Sequence, residues 1–156
     1  MKIKFTKMHG CGNDYVYIDC MEKLLENPAR LSTILSDRRK SIGGDGIILI
    51  EPSDCAEAKM RIFNKDGSEG KMCGNGIRCV AKYLFDKGLC KDPKSIKIET
   101  LSGVKTLEIT ENSGNEANVK VNMGKPSFKP SEIPVVANKE KLVSEPITID
   151  GNKYEI

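Results

Sequence analysis

The chain has 156 residues, of which 38% are hydrophobic and 30% charged, with a formal net charge of +3. That supplies apolar side chains for one ordinary core, while the balanced charge, 5% aromatics and absence of tryptophan speak against a nucleic-acid partner, which needs basic stripes and stacking rings. The first seven residues carry charge where a leader would be apolar and no long apolar run follows, so the expectation is a cytoplasmic protein without a membrane partner, whose six cysteines are reduced thiols.

Residues 3 to 8 and 14 to 19 alternate as two short strands, with His9-Gly10-Cys11-Gly12-Asn13 as a glycine-rich turn between them. Asn13 is then a loop amide that either shapes the turn or binds a ligand. His9 has only Cys11 as a close sulfur neighbour and the chain contains no C-x-x-C pair, so no metal site is expected. Asn27-Pro28 starts a helix with Leu31, Ile34 and Leu35 on one face, closed by the positive run Arg38-Arg39-Lys40, and it reads as scaffold. The tight turn Gly43-Gly44-Asp45-Gly46 leads into the apolar strand Ile47–Ile50.

A strand over residues 59 to 63 runs into the turn Asn64-Lys65-Asp66-Gly67, and a helix follows in which Val80, Ala81, Tyr83, Leu84 and Phe85 recur at helical spacing before Gly88 stops it. Cys73 sits at the mouth of that helix. There the unpaired backbone N–H groups and the positive end of the dipole favour an anion, a thiolate or a bound carboxylate. Gly74 and Gly76 leave room for a ligand, and the Asn64 and Asn75 amides can each donate and accept. Cys79, inside the helix beside Val80, reads instead as packing. Arg78, Lys82 and Asp86 form one polar stripe on a helix otherwise apolar, so a sheet is expected to curl around it.

Residues 95 to 100 and 104 to 109 alternate about Ser102-Gly103 as an antiparallel hairpin. The polar segment from Glu111 to Asn118 breaks the pattern, residues 119 to 123 form another strand, and Pro126, Pro130 and Pro134 impose an extended, irregular path. The last ten residues read as strand, Asp150-Gly151 turn and a return strand that stops inside its alternation, so the chain is expected to be the first part of a longer protein.

Three segments, Phe5 to Asp14, Asp37-Arg38-Arg39 with Gly43 to Gly46, and Asn64 to Glu69 with Met72-Cys73-Gly74-Asn75-Gly76-Ile77-Arg78-Cys79, closely resemble in order and spacing the N-terminal half of the diaminopimelate epimerase family. The resemblance implies an α+β lobe with a mainly antiparallel sheet rolled around a central helix. It also implies a cofactor-independent epimerase that interconverts LL- and meso-diaminopimelate through two cysteines on opposite faces of the α-carbon, one as thiolate base and one as thiol acid. Cys73 matches the first-lobe cysteine, and Asn13, Asn64, Gly74 and Asn75 match positions that hold the substrate. The family suggests a homodimer. Cys11 stands where the family more often has an apolar residue, and Gly46 where some members place a glutamine in the site.

Residues 1–118 are expected to form the lobe with the first cysteine, and 119–156 the opening strands of an incomplete second lobe. No second motif resembling Cys-Gly-Thr-Gly occurs, so the chain alone is expected to be inactive. The alternatives are a related proline racemase-like or phenazine-pathway-like isomerase, or a thiol redox or binding module built on Cys73.

Overall fold

The computed structural model describes residues 2–155. Strands β1 (Thr6–Gly10) and β2 (Asn13–Asp19) form an antiparallel hairpin in register from Thr6↔Tyr17 to Gly10↔Asn13. The turn is only Cys11-Gly12, at φ 54° and 85°, because a two-residue type I′ hairpin places both central residues at positive φ. The turn is therefore shorter than expected, with His9 and Gly10 in β1 and Asn13 opening β2.

Helix α1 (Pro28–Leu35) then crosses to β3 (Gly46–Glu51), which pairs parallel with β2. The helix ends before the basic run rather than at it. Asp37 Oδ1 accepts the backbone N–H groups of Arg39 and Lys40 at 2.8 and 3.0 Å, and this local turn competes with another helical turn.

All six residues of β3 are buried. The sheet is covered on both faces, which is what a continuous apolar run such as Ile47–Ile50 requires. On one side Val16, Ile18, Ile47, Leu49 and Phe63 pack with Leu31 and Leu35 of α1. On the other, Tyr17, Ile48, Ile50, Met60 and Ile62 pack with Ile77, Val80, Ala81 and Leu84.

β4 (Ala58–Asn64) lies antiparallel to β3, and β5 (Glu69–Gly70) folds back onto it. At two residues, β5 is too short to show alternation in sequence. Helix α2 (Gly74–Asp86) comes next, followed by β6 (Ile96–Glu99), β7 (Lys105–Ser113) and β8 (Glu116–Val121). The sheet order is β1-β2-β3-β4-β6-β7-β8, with β5 on β4, and only the β2·β3 and β4·β6 pairings are parallel. Helix α2 touches β1 and β2 near one end of this order and β6, β7 and β8 at the other. The architecture is therefore α+β, with a mainly antiparallel sheet curled around α2 as expected.

The polar stretch from Glu111 to Asn118 does not break the sheet. It is the outer half of the β7–β8 hairpin, bulged between Ile109 and Glu111, and its side chains are mostly exposed, which is why it lacks an apolar period. Lys82, part of the expected polar stripe, is only 4% exposed. Its ammonium bonds Asp86 at 2.6 and 2.7 Å and donates to the Gly114 carbonyl at 2.8 Å, tying α2 to the turn of that hairpin.

The expected boundary at residue 118 falls inside β8, whose cross-strand bonds keep it with the first sheet. The compact units divide after Met123 instead, the second being Gly124–Ile156. Within that second unit β9 (Pro146–Ile149) and β10 (Asn152–Glu155) form the expected hairpin, with Asp150-Gly151 at φ 49° and 79°. Ile156, the last residue of the expected return strand, and Met1 lie outside the described residues. Among the described residues no helix is long and apolar enough to cross a membrane, and no three His, Cys, Asp or Glu side chains gather as a metal site.

Candidate active site

The sheet brings three strand ends together. Register pairs Tyr15 with Gly46 and Gly46 with Asn64, so the start of β2, the start of β3 and the end of β4 lie side by side. The N-terminus of α2 meets the same edge. A Cβ added to Gly10 would lie 2.8 Å from the Asn75 carbonyl oxygen, so only glycine lets the β1–β2 hairpin come this close to the helix.

Cys73 is the N-cap of α2. Its backbone is extended (φ −137°, ψ 112°), and its Sγ accepts the Gly76 N–H at 3.3 Å, the bond a cap residue makes to an otherwise orphaned donor. The same sulfur donates to Asn13 Oδ1 at 3.4 Å. Burial, and then the charge of Cys73, pushes the Tyr15 hydroxyl above its usual range, so Tyr15 is a neutral wall beside the thiol. Gly74, next along, has open space where a side chain would be.

Each site amide is held at one end by the protein. Asn13 Nδ2 donates to Asp45 Oδ2 at 2.7 Å, leaving Oδ1 to the thiol. Arg78 Nη2 donates to Asn75 Oδ1 at 2.7 Å, leaving the Asn75 NH2 group at the helix mouth. Asn64 Nδ2 donates to Ser68 Oγ at 3.0 Å. The hydroxyl of Ser32, fully buried on α1, lies 2.8 Å from both the Phe63 and the Asn64 carbonyl oxygens and shares its one proton between them, which fixes the backbone at Asn64. The α1 helix thus steers the site as well as covering the sheet.

Behind Asn13 lies an ionic cluster. Arg38 pairs with Asp14 through two nitrogen–oxygen contacts of 2.5 and 3.1 Å and with Asp45 at 3.1 Å, and Lys7 pairs with Asp14 at 2.7 Å. Arg38 first, and Lys7 after it, hold the Asp14 carboxyl well below the usual range against the opposing effect of burial.

The other cysteines are placed differently. Burial, with Glu51 nearby, pushes Cys20 up to about 11, and burial raises Cys79 and Cys90 as well. Cys55 lies exposed in a loop beside Ser53 and Glu99. Cys11 is exposed on the β1–β2 turn, its sulfur 3.4 Å from Arg78 Nη2. All six are free, and the Cys73 sulfur bonds an amide oxygen and a backbone N–H rather than a second sulfur.

A family model described as diaminopimelate epimerase matches residues 5–129. The chain belongs to the diaminopimelate epimerase family. The protein named diaminopimelate epimerase in Acetivibrio thermocellus is 51% identical over 154 residues, covering 99% of this chain and 55% of that protein. Its namesake in Methanococcus maripaludis is 53% identical over 152 residues, covering 97% of this chain and 54% of that one. The chain thus spans about half the length of the curated relatives it matches. Two solved structures share the fold. A Bacillus anthracis phenazine biosynthesis protein of the PhzF family aligns with TM-score 0.60 and 24% identity over 78% of this chain and 40% of that one. A hydroxyproline epimerase from Agrobacterium vitis aligns with TM-score 0.53 and 16% identity over 75% and 40%.

Against the diaminopimelate epimerase family pattern, Cys73, Gly74, Asn75 and Asn13 come together at one helix mouth, and Asn64 lies at the same edge one strand beyond Gly46. Gly46 carries no side-chain role. A Cβ there would sit 2.2 Å from the Phe63 carbonyl oxygen and 3.0 Å from the Tyr15 ring. Tyr15 lies just outside the motif segments, while Asp45, Arg38 and Arg78 lie within them but were given no role in the site. Their signal was present but weak: a lone acid inside a four-residue glycine turn, and two arginines that sequence alone assigns to a helix end and a solvent stripe.

Proposed function

We propose that this chain supplies one lobe of a cofactor-independent amino-acid epimerase that interconverts LL- and meso-diaminopimelate, a step toward lysine and peptidoglycan. Cys73 is one of two thiols that exchange the α-proton. The observation that carries the reading is the Cys73 sulfur at the mouth of α2, held between the Asn13 oxygen and the Gly76 N–H.

In this reading one thiolate removes the α-proton and becomes a thiol, and a thiol on the opposite face gives its proton to the carbanion and becomes a thiolate. Negative charge that spreads into the substrate carboxylate is met by the N–H groups opening α2, which are oriented before the reaction begins. The amides of Asn13, Asn64 and Asn75 hold carboxylate and ammonium without adding net charge, and placing the α-carbon against sulfur supplies the orientation effect. The second thiol belongs to a second lobe that residues 124–156 begin, and the whole protein is a cytoplasmic homodimer. The relatives' names support the epimerase reading, and their nearly twofold greater length supports the second lobe.

The test is α-proton exchange into heavy water with a panel of diaminopimelate and proline. Exchange of diaminopimelate by a protein carrying this chain with its second lobe, lost on Cys73→Ala and absent from residues 1–156 alone, is the expected result. Exchange of proline but not diaminopimelate assigns a racemase instead, and exchange by residues 1–156 alone contradicts the two-lobe arrangement.

A further inference from the structure

The Asn13 amide has two unlike ends, and the fold engages both. An amide can meet a thiol through its oxygen or a thiolate through its NH2 group, and the two states differ by a half-turn of the side chain's last bond. Asp45 breaks that symmetry. An ionised carboxylate accepts and cannot donate, so turning the amide over would set its oxygen against the Asp45 oxygen and lose a charge-assisted bond now 2.7 Å long.

We propose that Asp45 is a positioning residue that locks the Asn13 amide with its oxygen on the Cys73 thiol, so that the resting site holds Cys73 in its proton-donor form. This rests on the reading of Cys73 as a proton-transfer thiol.

Asp45 is itself held from three sides. Its Oδ2 also accepts the Asp14 N–H at 3.1 Å, its Oδ1 takes Arg38 Nη2 at 3.1 Å, and its backbone N–H donates to the Asp14 carbonyl at 2.7 Å. Arg38 bridges Asp14 and Asp45, and Lys7 pairs with Asp14. Around Cys73 the other titratable groups are Tyr15 and Tyr17 from β2 and Cys79 from α2, and burial pushes all three toward their neutral forms. Asp45 and Arg78 remain as the ionised side chains bonded to site amides, and of the two only Asp45 acts on the amide that faces the thiol.

Asp45→Asn tests the lock, because an amide at that position can both accept and donate and so permits either orientation of Asn13. The rate of carbamidomethylation at Cys73 by iodoacetamide is followed across pH by peptide mass spectrometry, with Cys11 and Cys55 as exposed references and protection of buried Cys20 as the check on folding. The expected result is a rate at pH 7 raised about fivefold and a pH–rate curve moved to lower pH, the size of one charge-assisted bond at a half-exposed site. In the Asn13→Ala background Asp45→Asn should add nothing, since its effect passes through the amide. Should Asp45→Asn lose Cys20 protection, Asp45→Ala is read in its place.

An unmoved curve overturns the proposal, as does an equal gain in the Asn13→Ala background, which would make Asp45 a bystanding negative charge. A moved curve, with no α-proton exchange of diaminopimelate by the protein that carries both lobes, refutes the epimerase reading and leaves the lock standing. Exchange with an unmoved curve does the reverse.

Discussion

Arg78 reaches back one turn of α2 and donates to the side-chain oxygen of Asn75 at 2.7 Å. The contact decides which end of the amide faces the helix mouth. With the oxygen occupied, Asn75 offers hydrogen-bond donors, and donors suit an anionic ligand at a helix N-terminus.

Arg78→Met removes that grip while keeping a long apolar stem. In the proposed epimerase its expected effect is a KM raised about tenfold with kcat changed by less than threefold, since a free amide samples the wrong orientation before substrate binds but can be held correctly once it has bound. Steady-state kinetics in both directions measure it. An unchanged KM would mean that Asn75 needs no outside orientation.

Cys73 does two separable jobs. As N-cap it accepts the Gly76 N–H, and as a thiol it carries a dissociable proton. Cys73→Ser keeps an acceptor at the cap and should unfold in urea at nearly the native midpoint, whereas Cys73→Ala should lose about 1 kcal/mol. Both should abolish exchange. Equal stability of the two variants would show that the sulfur's cap bond contributes nothing.

Gly46 tests how tightly β3 is set. The backbone of Phe63 stands where a Cβ would go, and backbone cannot swing aside as a side-chain tip can. Gly46→Ala should cost about 2 kcal/mol, read from urea unfolding, and should disturb Asn64, its partner across the strands. A cost below about 0.5 kcal/mol, the range of an ordinary surface change, would contradict the packing.

Asp14 should make the lobe acid-sensitive. Arg38, seconded by Lys7, holds its carboxyl well below the ordinary range, so in acid the folded state binds fewer protons there than the unfolded chain does. The stabilisation is full above the unfolded carboxylate value of about 3.9 and drains as pH falls below it. Wild type should therefore exceed Asp14→Asn in urea midpoint at pH 7, and the gap should narrow steadily as pH falls from about 4 toward 2. Parallel curves would show that the ion pairs do not act on stability.

Much of the fold was legible because its signals are local. Ile47–Ile50 announces a strand buried on both faces, the recurrence from Val80 to Phe85 announces α2, and the Asp150-Gly151 pair announces the last hairpin. What escaped shows only in its pairings, across a turn or across the sheet. The segment from Glu111 to Asn118 looks like loop because its hairpin turns few apolar groups inward, and β5 exists only through its bonds to β4. The site divides along the same line. Cys73 at a helix mouth among glycines and asparagines can be read from neighbours, but the roles of Asp45 and Arg38 cannot, since each acts on a residue 24 to 32 positions away.

The parallel pairing of β2 with β3 has a kinetic consequence. Parallel neighbours cannot be joined by a tight turn, so the whole α1 crossover must close before Asp45 meets Asn13, and the stretch from Asn13 to Cys73, 60 positions apart, must be organised before the sulfur finds its amide. Contacts of such separation form late in folding and slowly. The environment of the Cys73 thiol should be completed only when the entire sheet has assembled, so that its protection from alkylation during refolding serves as a clock for the last step rather than for the first collapse.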